Sequence, residues 1–279
     1  MSASNIAQYG PAMTWVASRT TMPSSSVDFV INESIAVVTV NRPEARNAFT
    51  WDMYLALYDI LDAVRADENV RVLIIRGSDG AFSAGTDISH FRNFVDADSG
   101  VVYEHRLEQI IDRLERLPVA TIAEVDGAAA GGGCAIATAC DFRVCSDRAK
   151  FGVPVARTLG NCLSIGNTAR LIELVGSALT RDMLLTGRMI DAKEAVATGL
   201  ATMVVPPASL EQEVWHLAAD LSTRARSTIV ATKAIMLLLR DHRRPPMGAD
   251  DDVIRECYAS PEFKEGVDAF LAGRRPNWQ

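Results

Sequence analysis

The run Asp126-Gly127-Ala128-Ala129-Ala130-Gly131-Gly132-Gly133-Cys134 can do chemistry without any reactive side chain. Its small residues allow close backbone approach, and its glycines also allow positive φ. An apolar stretch at residues 119–123 precedes it and reads as a short buried strand. Another at residues 135–140 reads as a tightly packed helix. A strand, a glycine turn and a helix start bring free N–H groups to one point. Such donors hold a phosphate, a carboxylate, or a carbonyl oxygen that is becoming an oxyanion. The alternative is a turn built only for packing. The spacing matches neither GxGxxG nor the GxxxxGK phosphate loop, which argues against a nucleotide site.

A second segment, Gly80-Ala81-Phe82-Ser83-Ala84-Gly85-Thr86-Asp87-Ile88, follows a strand-like apolar run at residues 70–75. Upstream lies Asn41-Arg42-Pro43-Glu44-Ala45-Arg46-Asn47-Ala48-Phe49, and downstream Phe151-Gly152-Val153-Pro154 and Thr186-Gly187-Arg188. In this order the segments resemble the crotonase family, also called the enoyl-CoA hydratase/isomerase family. The resemblance runs from about residue 27 to residue 278. It implies an α/β fold, a crotonase-like spiral of repeated β-β-α units, with C-terminal helices that assemble trimers. Two such trimers often stack into a hexamer. It also implies an acyl-CoA thioester substrate, lipid metabolism, and no tightly bound cofactor, coenzyme A being part of the substrate.

In the family, two peptide N–H groups hold the thioester oxygen, and their positions match Thr86 and Gly132. Negative charge develops on that oxygen when a nucleophile adds or an α-proton leaves. Two fixed donors stabilise the enolate more than the ground-state carbonyl. The resemblance also places coenzyme A against Ala45, Arg46, Ala48 and Ser83, with Arg274 and Arg275 reaching the CoA of a neighbouring chain. Typical hydratases carry glutamates immediately after the GGGC and FGxP segments; Ala135 and Val155 stand there. Neither can move a proton, so the usual two-carboxylate mechanism does not transfer.

Several other residues offer different chemistry. His105, on the helix before Pro118, has a pKa class suited to proton transfer. Cys162 is a nucleophile if its thiol pKa is lowered. Arg157 suits a substrate carboxylate or phosphate, and Asn161 suits ligand orientation. Asp87 reads as a helix cap near Ile88, and Glu124 as strand-edge structure. His90, His216 and His242 have no better local motif, and no histidine or cysteine spacing suggests a metal. Enoyl-CoA hydratase-like lyase chemistry through an enolate leads. Isomerisation, acyl-CoA hydrolysis and an inactive acyl-CoA-binding homologue are the alternatives.

The elements that position these residues follow from pattern and composition. The chain has 279 residues, 48% of them apolar, enough for a substantial core. A net charge of −7 gives no nucleic-acid surface. Five cysteines without CxxC pairing favour free thiols in a reducing compartment, hence the cytoplasm. No run is apolar enough for a membrane span. Residues 1–26 read as a flexible extension, 27–205 as the α/β core and 206–279 as a helical region. Strands are expected at 27–32 and 35–40. A helix then follows Thr50, its apolar face at Met53, Leu55, Leu57, Ile60, Leu61 and Val64. Further helices are expected at 101–117, 169–175, 181–185, 191–198, 210–222, 227–239, 253–259 and 264–272, and further strands at 141–146 and 201–205.

Overall fold

The computed structural model describes residues 26–278, so the expected extension lies almost wholly outside the described residues. The first strands are β1 (Val27–Asn32) and β2 (Ile35–Val40), an antiparallel pair joined at Glu33, whose φ is 54°. Helix α1 (Trp51–Ala66) follows, with Thr50 accepting from the Met53 N–H as an N-cap. Its buried face includes Tyr54 and Ala56 beside the expected apolar residues, while Leu55 is only half-buried.

The chain then winds. Strand β3 (Val72–Gly77) leads through a loop to helix α2 (Asp98–Glu115), then to β4 (Ala120–Val125), β5 (Ala128–Ala130) and α3 (Gly132–Ala139). The next turn runs through β6 (Phe142–Ser146), β7 (Lys150–Gly152), the short α4 (Val155–Thr158) and α5 (Ile165–Thr186). It closes with β8 (Ile190–Asp191), α6 (Ala192–Ala197) and β9 (Met203–Val205). The large sheet has the order β1-β2-β3-β4-β6-β9, parallel from β2 onward. The small sheet has the order β5-β7-β8. The chain thus places β4 and β6 in one sheet and β5 and β7 in the other, which is the repeated β-β-α spiral.

Alternation fixes the layers. Ala36, Val38, Val40, Leu73 and Ile75 face the main core with α1 and α2. Ile35, Val37, Val72 and Ile74 face the opposite side, under α7 (Leu210–Ser222) through Leu210, Val214 and Ala218. This period of two is what a sheet covered on both faces requires. Helices α8 (Arg226–Arg243), α9 (Asp251–Tyr258) and α10 (Pro261–Leu271) complete the chain. No described residue of α8 is buried, and Ile235, Met236, Leu238 and Leu239 lie exposed on it.

One expectation about the elements holds and another changes. The helices expected at 169–175 and 181–185 fall on either side of Gly176, whose φ of 76° and ψ of 163° divide residues 165–186 into two helical stretches. Glu124 is not at a sheet edge: β4 lies between β3 and β6, and its carboxylate approaches Arg76 at 4.0 Å.

Candidate active site

Three loops meet at one cavity of about 440 Å³. Asn47, fully buried with φ 58°, joins two of them. Its amide donates to the carbonyls of Ser78 (2.8 Å) and Ala81 (2.7 Å), and its Oδ1 accepts from the Arg42 N–H (2.9 Å). Arg42 also donates to the Ala48 carbonyl (3.1 Å) and pairs with Asp87 (2.8 Å). The early signature therefore anchors the first glycine loop to the β2 end. Two isolated bridges then hold that loop: Ser83 pairs with Ala129 in β5, and Thr86 with Phe49.

Thr86 and Gly132 both line the cavity. Neither backbone N–H donates to an acceptor among the described residues. A Cβ added at Gly132 would lie 3.7 Å from the Thr86 nitrogen but only 2.4 Å from Tyr54 Oη, so glycine is sterically required there. A Cβ on Gly133 would meet Ser83 at 2.7 Å. The Thr86 hydroxyl is fixed between Tyr54 Oη and Tyr103 Oη, each at 2.8 Å. Two N–H donors beside the N-terminus of α3 can hold one anionic oxygen.

The cavity has an exposed rim and a buried wall. Glu44, Ala45, Arg46 and Ala48 form the rim. Ala135, Val153, Val155, Leu107 and Leu159 make the wall apolar. Asp87 also lines the cavity and caps the Ser89 N–H at the 3-10 turn Ile88–Asn93, as expected. The Ser89 and Arg42 contacts outweigh partial burial and lower its carboxyl below the ordinary value.

The wall carries one carboxyl that the motif comparison missed. Glu104 of α2 is 2% exposed and lines the same cavity as Thr86 and Gly132. Tyr258 donates to its Oε1 at 2.7 Å, and Asn161 Nδ2 donates to Tyr258 Oη at 3.0 Å. Glu104 Oε2 and Asn161 Oδ1 are both buried and lack a hydrogen-bond partner among the described residues. Burial pushes the Glu104 carboxyl up to about 8, and the Tyr258 and Ser164 hydrogen bonds only partly oppose it. Of the other carboxylates lining the cavity, Glu44 and Asp87 sit against Arg42, at 3.5 and 2.8 Å.

The expected side-chain candidates scatter. His105, one residue beyond Glu104, turns to a different cavity, where its Nε2 lies 2.7 Å from Asp251 Oδ1. Cys162 lines the same cavity as Thr86 and Gly132, but its contact with Cys257 and then its burial push the thiol well above its ordinary value. That opposes nucleophilic use. Ser83 does not offer its backbone to a ligand: its N–H goes to Ala128 O and its carbonyl accepts from Ala130 N, both at 2.9 Å. Arg157 is exposed on α4 and does not line the cavity. His90 stacks edge-on against Trp51, and Arg274 pairs with Glu265. Neither Arg274 nor Arg275 lines this chain's own cavity.

The family model for enoyl-CoA hydratase/isomerase matches residues 30–279. The chain belongs to that family. It is 37% identical over 251 residues to a crotonyl-CoA hydratase of Syntrophomonas wolfei, covering 88% of this chain and 95% of the relative. It is 32% identical over 252 residues to a putative enoyl-CoA hydratase of Thermus thermophilus, covering 88% and 97%. Among solved structures, a putative enoyl-CoA hydratase/isomerase family protein from Hyphomonas neptunium superposes with a TM-score of 0.73 at 32% identity, over 91% of this chain and 97% of that one. The crotonase fold and the acyl-CoA substrate class follow from this membership. No described helix is long and apolar enough to cross a membrane.

Proposed function

We propose that this hydratase/isomerase family member adds water to a 2-enoyl-CoA, with Glu104 carrying the proton. The observation behind this reading is the placement of the Glu104 carboxyl on the wall that also holds Thr86 and Gly132. The thioester oxygen takes both peptide N–H groups. As water attacks C3, the C2–C3 π electrons move towards that oxygen and an enolate forms. Loss of one donor from such a pair costs about 3 kcal/mol in the barrier.

The carboxylate of Glu104 takes one proton from the attacking water, and Asn161 Oδ1 accepts the other hydrogen. Glu104 Oε2 and Asn161 Oδ1 are available for this because neither atom has a hydrogen-bond partner among the described residues. Glu104 then returns its proton to C2, which leaves a 3-hydroxyacyl-CoA. One carboxyl on α2 thus does what Ala135 and Val155 cannot. Coenzyme A lies along Ala45, Arg46 and Ala48 at the rim. The exposed apolar side chains of α8 support assembly as a trimer, which light scattering of untagged protein tests by mass; a monomer at every concentration rejects it.

A second reading is double-bond isomerisation. It is favoured by the same count of one uncommitted carboxyl, since a single base can lift a proton from one carbon and return it to another. Incubation of the protein with crotonyl-CoA and with a 3-enoyl-CoA in heavy water, followed by mass analysis, separates the two. Hydration adds the mass of one water and places deuterium at C2. Clear 3-enoyl conversion without hydration would replace the leading reading by isomerisation. Release of free CoA would indicate thioester hydrolysis. Binding of both thioesters with no product would reduce the chain to a binding homologue.

A further inference from the structure

Glu104 lines not one cavity but two. The second measures about 290 Å³ and also includes Glu108, Asp112, Ser164, Asp250 and Met247. Glu104, Glu108 and Asp112 recur every fourth residue of α2 and therefore share a helix face. Their burial is graded: Glu104 is 2% exposed, Glu108 9%, and the Asp112 side chain 35%. Ser164 Oγ donates to Glu108 Oε2 at 3.0 Å, midway along this row. The first cavity has an exposed rim at Ala45, Arg46 and Ala48, where the proposed function lays the CoA portion of a thioester. A bound substrate therefore closes the route by which Glu104 would meet solvent from the front.

We infer that the second cavity is the route by which Glu104 exchanges its proton with solvent while a thioester occupies the first, with Glu108 as the intermediate station. This rests on the proposed enolate chemistry at Glu104. The step balances: the C2–H bond breaks, its electron pair enters the enolate, and the proton bonds to a Glu104 carboxylate oxygen. That proton leaves through Glu108 to water near Asp112. A deuteron from heavy water returns along the same row and forms C2–D. Glu108 does not touch the substrate and is a relay behind the proton carrier.

Butyryl-CoA is the probe, because it has C2 hydrogens and no double bond to hydrate. In heavy water the full-length protein should place deuterium at C2. Met247→Trp fills the outer part of the second cavity, and Glu108→Gln removes a titratable station while keeping its shape. Each should slow deuterium uptake at least tenfold with the butyryl-CoA Kd unchanged, and Glu108→Asp should restore most of the rate. Uptake at the parental rate in either folded, thioester-binding filled-cavity or Gln variant overturns the route; if one variant fails to fold, the other decides. Exchange that is slowed by the variants in a protein that never hydrates crotonyl-CoA would remove the hydration reading and keep the route. Thioester binding without any exchange in the parent would overturn both.

Discussion

Glu104 and Glu115 lie on the same helix, α2, and both are largely withdrawn from water. Burial pushes the first carboxyl up to about 8. Burial would raise the second as well, but Arg170, Arg244 and Arg240 outweigh it and hold that carboxyl at about 2. The environments explain the contrast. Arg170, 2% exposed, grips Glu115 with two bonds of 2.8 Å, and Arg240 adds a contact at 2.5 Å. Glu104 has a phenol at 2.7 Å and no ion pair. A buried carboxylate surrounded by guanidinium groups is a fixed charge. One beside a phenol and an amide keeps a proton near neutral pH and can give it up. The same residue type thus serves as a brace at one end of a helix and as a proton store at the other.

Breaking the proton-storing end should give the largest effect. Glu104→Gln keeps the shape of the side chain but cannot accept a proton. Turnover on a 2-enoyl-CoA should fall about 10²–10⁴-fold in single-turnover assays, with thioester binding retained. Parental turnover in this variant would move the proton carrier to another residue. Because the reaction starts from the carboxylate, the parent's kcat/KM should rise with pH and level off above about 8.

Breaking the brace should act on stability alone. Glu115→Gln leaves the buried Arg170 guanidinium without its main partner, which costs about 3–5 kcal/mol. The lower end is expected because Glu108 remains 3.5 Å from Arg170. Urea unfolding measures the loss, while turnover per folded molecule should hold. A loss of turnover equal to that of Glu104→Gln would show that the two ends are not separate.

The smallest effect sharpens the comparison through the pH dependence of stability. Glu104 has a raised pKa, so its contribution is present below its ordinary value of 4.5 and is lost as pH rises towards about 8. Glu115 has a lowered pKa, so its contribution is present above 4.5 and is lost as pH falls towards about 2. Melting curves of the two Gln variants should flatten opposite limbs of the Tm-against-pH profile. Flattening of the same limb in both would contradict the assignment of the two environments.

The sequence made the large sheet legible because its strands are apolar and bounded by turns. Residues 27–32 and 35–40 became β1 and β2 without shift. The small sheet was hidden: β5 is three alanines and β8 two residues, too short for any alternation to register. The placement of Thr86 and Gly132 on one cavity was readable through ordered glycine motifs, because backbone geometry leaves its trace in glycine. Glu104 was missed because carboxylates were sought after the GGGC and FGxP segments, and because His105 beside it has the more familiar chemistry. A step of one residue turns a helix by about 100°, which is why His105 lies in the neighbouring cavity. A signal was present: Glu104 and Glu108 fall on the stripe that Val101, Leu107 and Ile111 mark as buried. A carboxylate on an apolar stripe is the kind of exception that points to a site.

Asn47 sits beneath the site without lining its cavity, yet its amide ties together the loops that carry Thr86. The two donors at Thr86 and Gly132 are main-chain groups, which almost every residue possesses. A side-chain exchange at either position leaves the N–H in place, so such a device is lost by misplacement and not by deletion. What a substitution can alter is the placement of the N–H groups, either at Gly132 itself, where a Cβ would meet Tyr54 Oη at 2.4 Å, or through Asn47, Tyr54 and Ser83 around them. On the proposed reading, the polarising and the proton-moving functions therefore rest on different residues. A chain can carry Ala135 and Val155 in its wall and still bring the Thr86 and Gly132 N–H groups to the same cavity, where the proposed reading has them work with a base that another helix supplies.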